Sequence, residues 1–258
     1  MGKHSNILSS LVAVMLMYSL ATAADNRDRF EARTFQDGEY TLPYRLLKPK
    51  AYDAAQKYPL VIFLHGAGER GDDNQKQLIH GMNDFASDEI MAKHAAFVLA
   101  PQCPEGEVWG GISRLAKVPT PPDTLTPALD ATLKAAAALQ KEYSIDDRRI
   151  YITGLSMGGY GTWNALANRT ELFAAAAPIC GGGETASAAK FKDIPIWAFH
   201  GADDKTVPVA RSREMIEALK AAGAQPKYTE YPGVGHNSWA QTYSDPALYD
   251  WLFAQKKP

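Results

Sequence analysis

The sequence predicts a single α/β domain built on a doubly wound, mostly parallel sheet, and two observations carry that expectation. Short runs that are apolar on both faces alternate with amphipathic stretches of helical length. A G-x-S-x-G pentapeptide, Gly154 to Gly158, directly follows one of the apolar runs. Strands apolar on both faces belong in a parallel sheet covered on both sides. Strand–helix alternation then implies right-handed crossovers, with functional residues on loops at the carboxyl ends of the strands.

The strands are expected at Tyr58 to Leu64, Ala96 to Ala100, Arg149 to Thr153, Ala174 to Cys180 and Ile194 to Phe199, with Lys227 to Tyr231 as the last. Tyr40 to Leu47 should open the sheet near an edge. Helices are expected at Leu125 to Tyr143, where Leu129, Leu133 and Leu139 form a stripe, and at Met157 to Asn168. Two more span Val209 to Ala222, stopped by Gly223, and Pro246 to Ala254. The proline-rich stretch from Pro101 to Pro122 is too long for an ordinary connection and reads as functional or mobile.

Residues 1–24 stand outside this pattern. Lys3 and His4 precede the apolar stretch Ile7 to Leu20, which ends in the small residues Ala21, Thr22, Ala23 and Ala24. That order describes a secretory signal peptide cleaved after Ala23 or Ala24, so the expectation is a secreted or periplasmic domain over residues 25–258. The stretch is shorter and more serine-diluted than a membrane anchor requires, and no later run is long enough to span a bilayer. With 27 Lys and Arg against 29 Asp and Glu, the near-neutral chain carries no footprint for nucleic acid or an anionic surface. Export permits a disulfide between Cys103 and Cys180; two small buried thiols are the alternative. Nothing in the sequence sets an oligomeric state.

A serine on a sharp turn between strand and helix projects its hydroxyl clear of the backbone, which nominates Ser156 as a nucleophile. A hydroxyl needs a base to take its proton and a third group to orient that base. Downstream of Ser156 the only histidines are His200 and His236. His236 lies in a Gly-rich loop after the last strand and suits the base; His200 ends a strand and suits a structural role. The acid should follow Phe199, in a loop that contains Asp203 and Asp204. Asp204 is preferred, with Asp203 as a turn residue.

An oxyanion needs two amide donors. Met157 N–H, after the nucleophile, supplies one. The second should come from His65 to Gly71, where glycines let amides turn inward, with Ala67 the first choice and Gly68 the second. A phosphate-binding reading of that loop fails, since no Lys-Ser/Thr follows it. Trp109 reads as a cleft wall or, equally, as an anchor for its long loop. Trp239 should pack beside His236 and can touch substrate. Glu69 and Arg70 read as a local salt bridge or as a polar contact for substrate. His4, His80 and His94 lack ligand spacing, so neither a metal nor a cofactor is expected.

Taken together, Leu64-His-Gly-Ala-Gly-Glu-Arg-Gly71, Ala100-Pro-Gln-Cys-Pro104, Gly154-Leu-Ser-Met-Gly-Gly159 and His200-Gly201, Asp204, Val207-Pro208, Gly235-His236 resemble the α/β-hydrolase superfamily. Within it the chain is similar to the secreted feruloyl and acetyl-xylan esterases, polyhydroxybutyrate depolymerases and prolyl-oligopeptidase-like predicted peptidases. The likeness runs from about Tyr40 to the end. It implies a sheet of the α/β-hydrolase type and a serine esterase acting on small or polymer-linked esters through an acyl-enzyme. Polyester, phospholipid and carboxylester substrates are alternatives within that implication, as is peptide cleavage by the same triad. Peptide cleavage ranks below ester cleavage, because the prolyl-oligopeptidase group carries an additional access-restricting domain.

Overall fold

The computed structural model describes residues 25–110 and 124–258. The expected signal peptide lies outside the described residues, as does most of the Pro101 to Pro122 stretch. Eight strands form one sheet: β1 (Glu31–Asp37), β2 (Tyr40–Leu47), β3 (Tyr58–Leu64), β4 (Phe97–Pro101), β5 (Ile145–Leu155), β6 (Ala175–Ile179), β7 (Trp197–Gly201) and β8 (Lys227–Tyr231). Their order is β1-β2-β4-β3-β5-β6-β7-β8. The first three in that order pair antiparallel, and every later pairing is parallel. This is the expected doubly wound α/β sheet.

Alternation along the strands divides the core in two. On β3, Leu60, Ile62 and Leu64 point to one face, while Val61 and Phe63 point to the other. The first face is covered by α3 (Pro127–Glu142), α4 (Met157–Asn168) and α5 (Ala210–Ala221), through Leu129, Trp163, Leu166, Met215 and Leu219. The second is covered by α1 (Met82–Phe85), α2 (Asp88–Lys93), α6 (Trp239–Ser244) and α7 (Pro246–Phe253), through Phe85, Ile90, Tyr243, Tyr249 and Leu252. Every residue of β3 is buried, as a central strand covered on both faces must be.

Three details differ from the expectation. The edge strand β1 was not anticipated, because Glu31–Asp37 is mostly solvent-exposed and polar; a strand paired on one side need bury little. Its pairing moves β2 one place in from the edge. β5 begins at Ile145, before the apolar run, since Tyr58 pairs with Ile145 ahead of a register shift that loops out residues of β5 before Leu60 pairs with Ile150. β7 starts later than Ile194 because Pro195 interrupts the ladder, leaving an isolated bridge between Ala176 and Ile196. Of the alternatives for Cys103 and Cys180, the structure has two buried free thiols.

Candidate active site

The site begins at the turn between β5 and α4. Ser156 has φ 52° and ψ −112°, a left-handed conformation that costs a residue with a Cβ roughly 1–3 kcal/mol. The turn is held by Ser156 N–H donating to Ile179 O at 3.0 Å and by Tyr160 N–H donating to Ser156 O at 3.1 Å. The second glycine of the pentapeptide is required by close approach. A Cβ on Gly158 would lie 1.9 Å from Leu64 O, the backbone at the end of β3. The crossing of α4 over β3 therefore has no room for a side chain, and α4 is aimed with its first turn at the strand ends.

Two loops from the carboxyl end of the same sheet meet this turn. His236, after β8, places Nε2 2.9 Å from Ser156 Oγ and Nδ1 2.7 Å from Asp204 Oδ2. Asp204, after β7, is held by amides: Thr206 N–H and Val207 N–H donate to its Oδ1 at 2.8 and 2.9 Å. Burial works to raise the Asp204 carboxyl, but the bonds from His236, Val207 and Thr206 outweigh it, and its pKa lies below the usual carboxylate value. The carboxylate is thus ionised at neutral pH and accepts from Nδ1–H. That tautomer leaves Nε2 able to accept the Ser156 proton. Asp203 does not join the three; its amide donates to Val234 O at 2.9 Å.

His200 sits beneath this arrangement, wholly buried. Its Nε2 is 3.0 Å from Val207 O and its Nδ1 2.7 Å from Ser212 Oγ. A carbonyl only accepts, so Nε2 carries the proton, with Asp204 Oδ2 also 3.2 Å from it, while Nδ1 faces the Ser212 hydroxyl, which lies 3.1 Å from Gly181 O. Burial pulls the His200 pKa below its ordinary value, so the ring braces the Asp204 loop as a neutral group.

On the other side of Ser156 lies the loop after β3. A Cβ on Gly66 would be 3.8 Å from Ser156 Cβ, which sets the Ala67–Glu69 turn beside the serine. Met157 N–H belongs to the first turn of α4, whose amides have no intrahelical acceptor. Ala67 and Gly68 share the neighbouring turn. The turn is braced in ways the sequence did not announce. Arg70 Nε donates to Ala67 O at 3.0 Å and its Nη1 to Glu107 O at 3.2 Å. Gln102 Nε2 donates to Glu69 O at 3.1 Å. His65 Nδ1 donates to Gly66 O at 2.6 Å, while its Nε2 accepts from Cys103 N–H at 2.9 Å. Burial pulls the His65 pKa down to about 4, which keeps that two-sided clamp neutral.

The two tryptophans part company. Trp109 is completely buried, donates Nε1–H to His65 O at 3.0 Å and packs edge-on against the His65 ring at 5.1 Å. Its cleft-wall reading is corrected to an anchor for the loop, since no part of the indole is left to meet a ligand. Trp239 is half-buried and stands perpendicular to His236, 5.1 Å between ring centres. Glu69 and Arg70 do not pair with each other: Arg70 turns to the loop backbone, and Glu69 Oε1 lies 3.6 Å from His80 Nε2.

Cys180 Sγ, an Asp204 oxygen and a His236 nitrogen lie within 4.8 Å of one another. These atoms could meet a metal only by breaking the 2.7 Å bond between Asp204 and His236. Burial also drives the Cys180 thiol well above its ordinary pKa, against thiolate formation. Among the described residues no helix is long and apolar enough to cross a membrane.

Comparison with known proteins bears on the whole arrangement. A crystal structure of a thermostable esterase is 45% identical, with a TM-score of 0.84 over 90% of this chain and 64% of that one. A carboxylesterase of Arabidopsis thaliana is 27% identical over 69% of this chain and 82% of its own length. A bifunctional acetylxylan esterase/xylanase of Neocallimastix patriciarum is 40% identical over 66 residues, which span 26% of this chain and 10% of that protein. The model of the phospholipase/carboxylesterase family matches residues 51–247. The chain belongs to that family, within the α/β-hydrolase superfamily.

Proposed function

We propose that this protein hydrolyses carboxylic esters through an acyl-enzyme formed on Ser156. The observation that carries the proposal is the unbroken relay from Ser156 Oγ to His236 Nε2 at 2.9 Å and from His236 Nδ1 to Asp204 Oδ2 at 2.7 Å. Ser156 Oγ attacks the ester carbonyl as His236 takes its proton, and Asp204 holds the imidazole tautomer and stabilises the imidazolium that forms. Met157 N–H and a second amide, Ala67 or Gly68, receive the oxyanion. His236 then protonates the departing alcohol. Water, activated by the same ring, hydrolyses the acyl-enzyme and restores Ser156.

We place its substrates among acyl groups linked to polysaccharide, acetyl or feruloyl, and its site of action outside the cytoplasm after removal of residues 1–24. The motif set around Ser156 and the partial likeness to an acetylxylan esterase/xylanase support the substrate class. The basic start, apolar middle and small-residue exit of residues 1–24 support export. A panel of acetylated xylo-oligosaccharides, methyl ferulate, hydroxybutyrate oligomers and short acyl-glycerols tests the class. Highest kcat/KM on a saccharide-linked ester is expected. A preference for hydroxybutyrate or glycerol esters would reassign it.

A further inference from the structure

Among the described residues, Glu69 is a carboxylate beside the Ser156 turn that the reaction just described leaves without a task. Its side chain is 12% exposed. A Cβ built on Gly66 would lie 2.9 Å from Glu69 Oε2 and 3.8 Å from Ser156 Cβ, so carboxylate and serine flank the same glycine. Its other oxygen, Oε1, is 3.6 Å from His80 Nε2, beyond a good hydrogen bond. The neighbouring cation does not serve it, because Arg70 is directed to Ala67 O and Glu107 O. Among the described residues, His80 is its one ion contact. A mostly buried carboxylate is ordinarily well supplied with donors, and this one keeps Oε2 against Gly66, the glycine that also neighbours Ser156.

The surrounding rings continue the same wall. His80 is 5.3 Å from Trp239, and Trp239 is 5.1 Å from His236. A half-buried indole separated from an acceptor oxygen by the His80 ring matches a ligand with a C–H surface and a hydroxyl. The position of the carboxylate narrows the ligand further. A group that reaches both Ser156 Oγ and an acceptor across Gly66 carries its donor close to the scissile bond. The hydroxyl on the carbon next to the ester-bearing carbon is such a donor. His80 Nε2 faces Oε1 at 3.6 Å, so Oε2 is the oxygen open to a ligand hydroxyl, whereas a quaternary ammonium offers no N–H or O–H donor at all.

We propose that Glu69, His80 and Trp239 form an alcohol-side subsite for vicinal hydroxy-esters, with Glu69 Oε2 accepting the neighbouring hydroxyl. This rests on the reading of Ser156 as nucleophile. Glu69 is a specificity residue here, since it meets the alcohol portion and not the reacting atoms.

The test compares kcat/KM of the full-length protein on 2-hydroxyethyl acetate, 2-methoxyethyl acetate and 2-(trimethylammonio)ethyl acetate. A hydroxyl-to-carboxylate bond in a desolvated site predicts a preference of about tenfold or more for the hydroxy ester over the methoxy ester. In Glu69→Gln, which keeps the shape and removes the charge, the preference should shrink to about threefold or less, mainly through KM. A merely structural glutamate would alter turnover of both esters together and leave their ratio unmoved. A wild-type ratio near one, a ratio unchanged in Glu69→Gln, or a preference for the ammonium ester overturns the subsite. If Glu69→Gln does not fold, the wild-type ratio decides. Absence of wild-type turnover on all three esters would overturn the reading of Ser156, and the subsite with it.

Discussion

The Cys103 amide donates to His65 Nε2 at 2.9 Å, tying the end of β4 to the loop beside Ser156. Because His65 Nδ1 donates to Gly66 O, the ring works only as a neutral group with the proton on Nδ1. The unfolded chain has no such demand, and its histidine titrates near 6.5.

That asymmetry predicts a pH dependence of stability. With a folded pKa of about 4, the native state refuses the proton that the unfolded state binds below about 6.5. Stability from this group is therefore full above the unfolded value and falls as pH drops toward 4, by about 3 kcal/mol in all. Urea unfolding from pH 7 to 4 should show a steeper fall in the wild type than in His65→Asn. Parallel pH profiles would remove His65 from the explanation.

Gly158 and Gly68 should respond very unequally to alanine. A Cβ on Gly158 would meet Leu64 O at 1.9 Å, whereas one on Gly68 would meet nothing within 4 Å. Backbone cannot step aside as a flexible side chain can, so Gly158→Ala should lose about 3 kcal/mol or more, and Gly68→Ala about 0.5 kcal/mol or less. Thermal melts of the two variants check this directly.

Cys103 and Cys180 are both buried and both free. Thiol titration of the native protein should find neither reactive, and in denaturant it should find both without added reductant. Reductant-dependent appearance of the thiols would show that the pair is bridged.

Asp204 tests the orienting role separately from the nucleophile. Asp204→Asn keeps the size of the side chain but offers an amide where His236 Nδ1–H needs an acceptor. The ring can then adopt the other tautomer, and kcat on a short ester should fall by about 10³- to 10⁴-fold with the fold intact. A loss of less than tenfold would mean that another group orients His236.

Most of the sheet was legible because its strands are buried on both faces, as the unbroken apolar run Tyr58–Leu64 illustrates. The edge strand Glu31–Asp37 was not, because half-exposed polar residues read the same in a hairpin as in a loop. Ser156, Asp204 and His236 could be picked out in order, since each lies on the loop after an expected strand, and the structure brings them to hydrogen-bonding distance. The braces could not. The bonds from Arg70 to Glu107 O, Gln102 to Glu69 O and His65 to Cys103 join segments far apart in sequence without a motif. Trp109 was ambiguous for a related reason: an indole in a proline-rich loop looks the same whether it faces a ligand or the underside of its own loop, and only burial separates the two.

Ser156 carries the central claim, and hydrolysis of p-nitrophenyl acetate by the wild type and by Ser156→Ala tests it most directly. The wild type should show an initial burst and steady turnover. Ser156→Ala should show no burst and a kcat lower by about 10⁴-fold or more. Retention of activity within about tenfold of the wild type in a folded Ser156→Ala protein would contradict it.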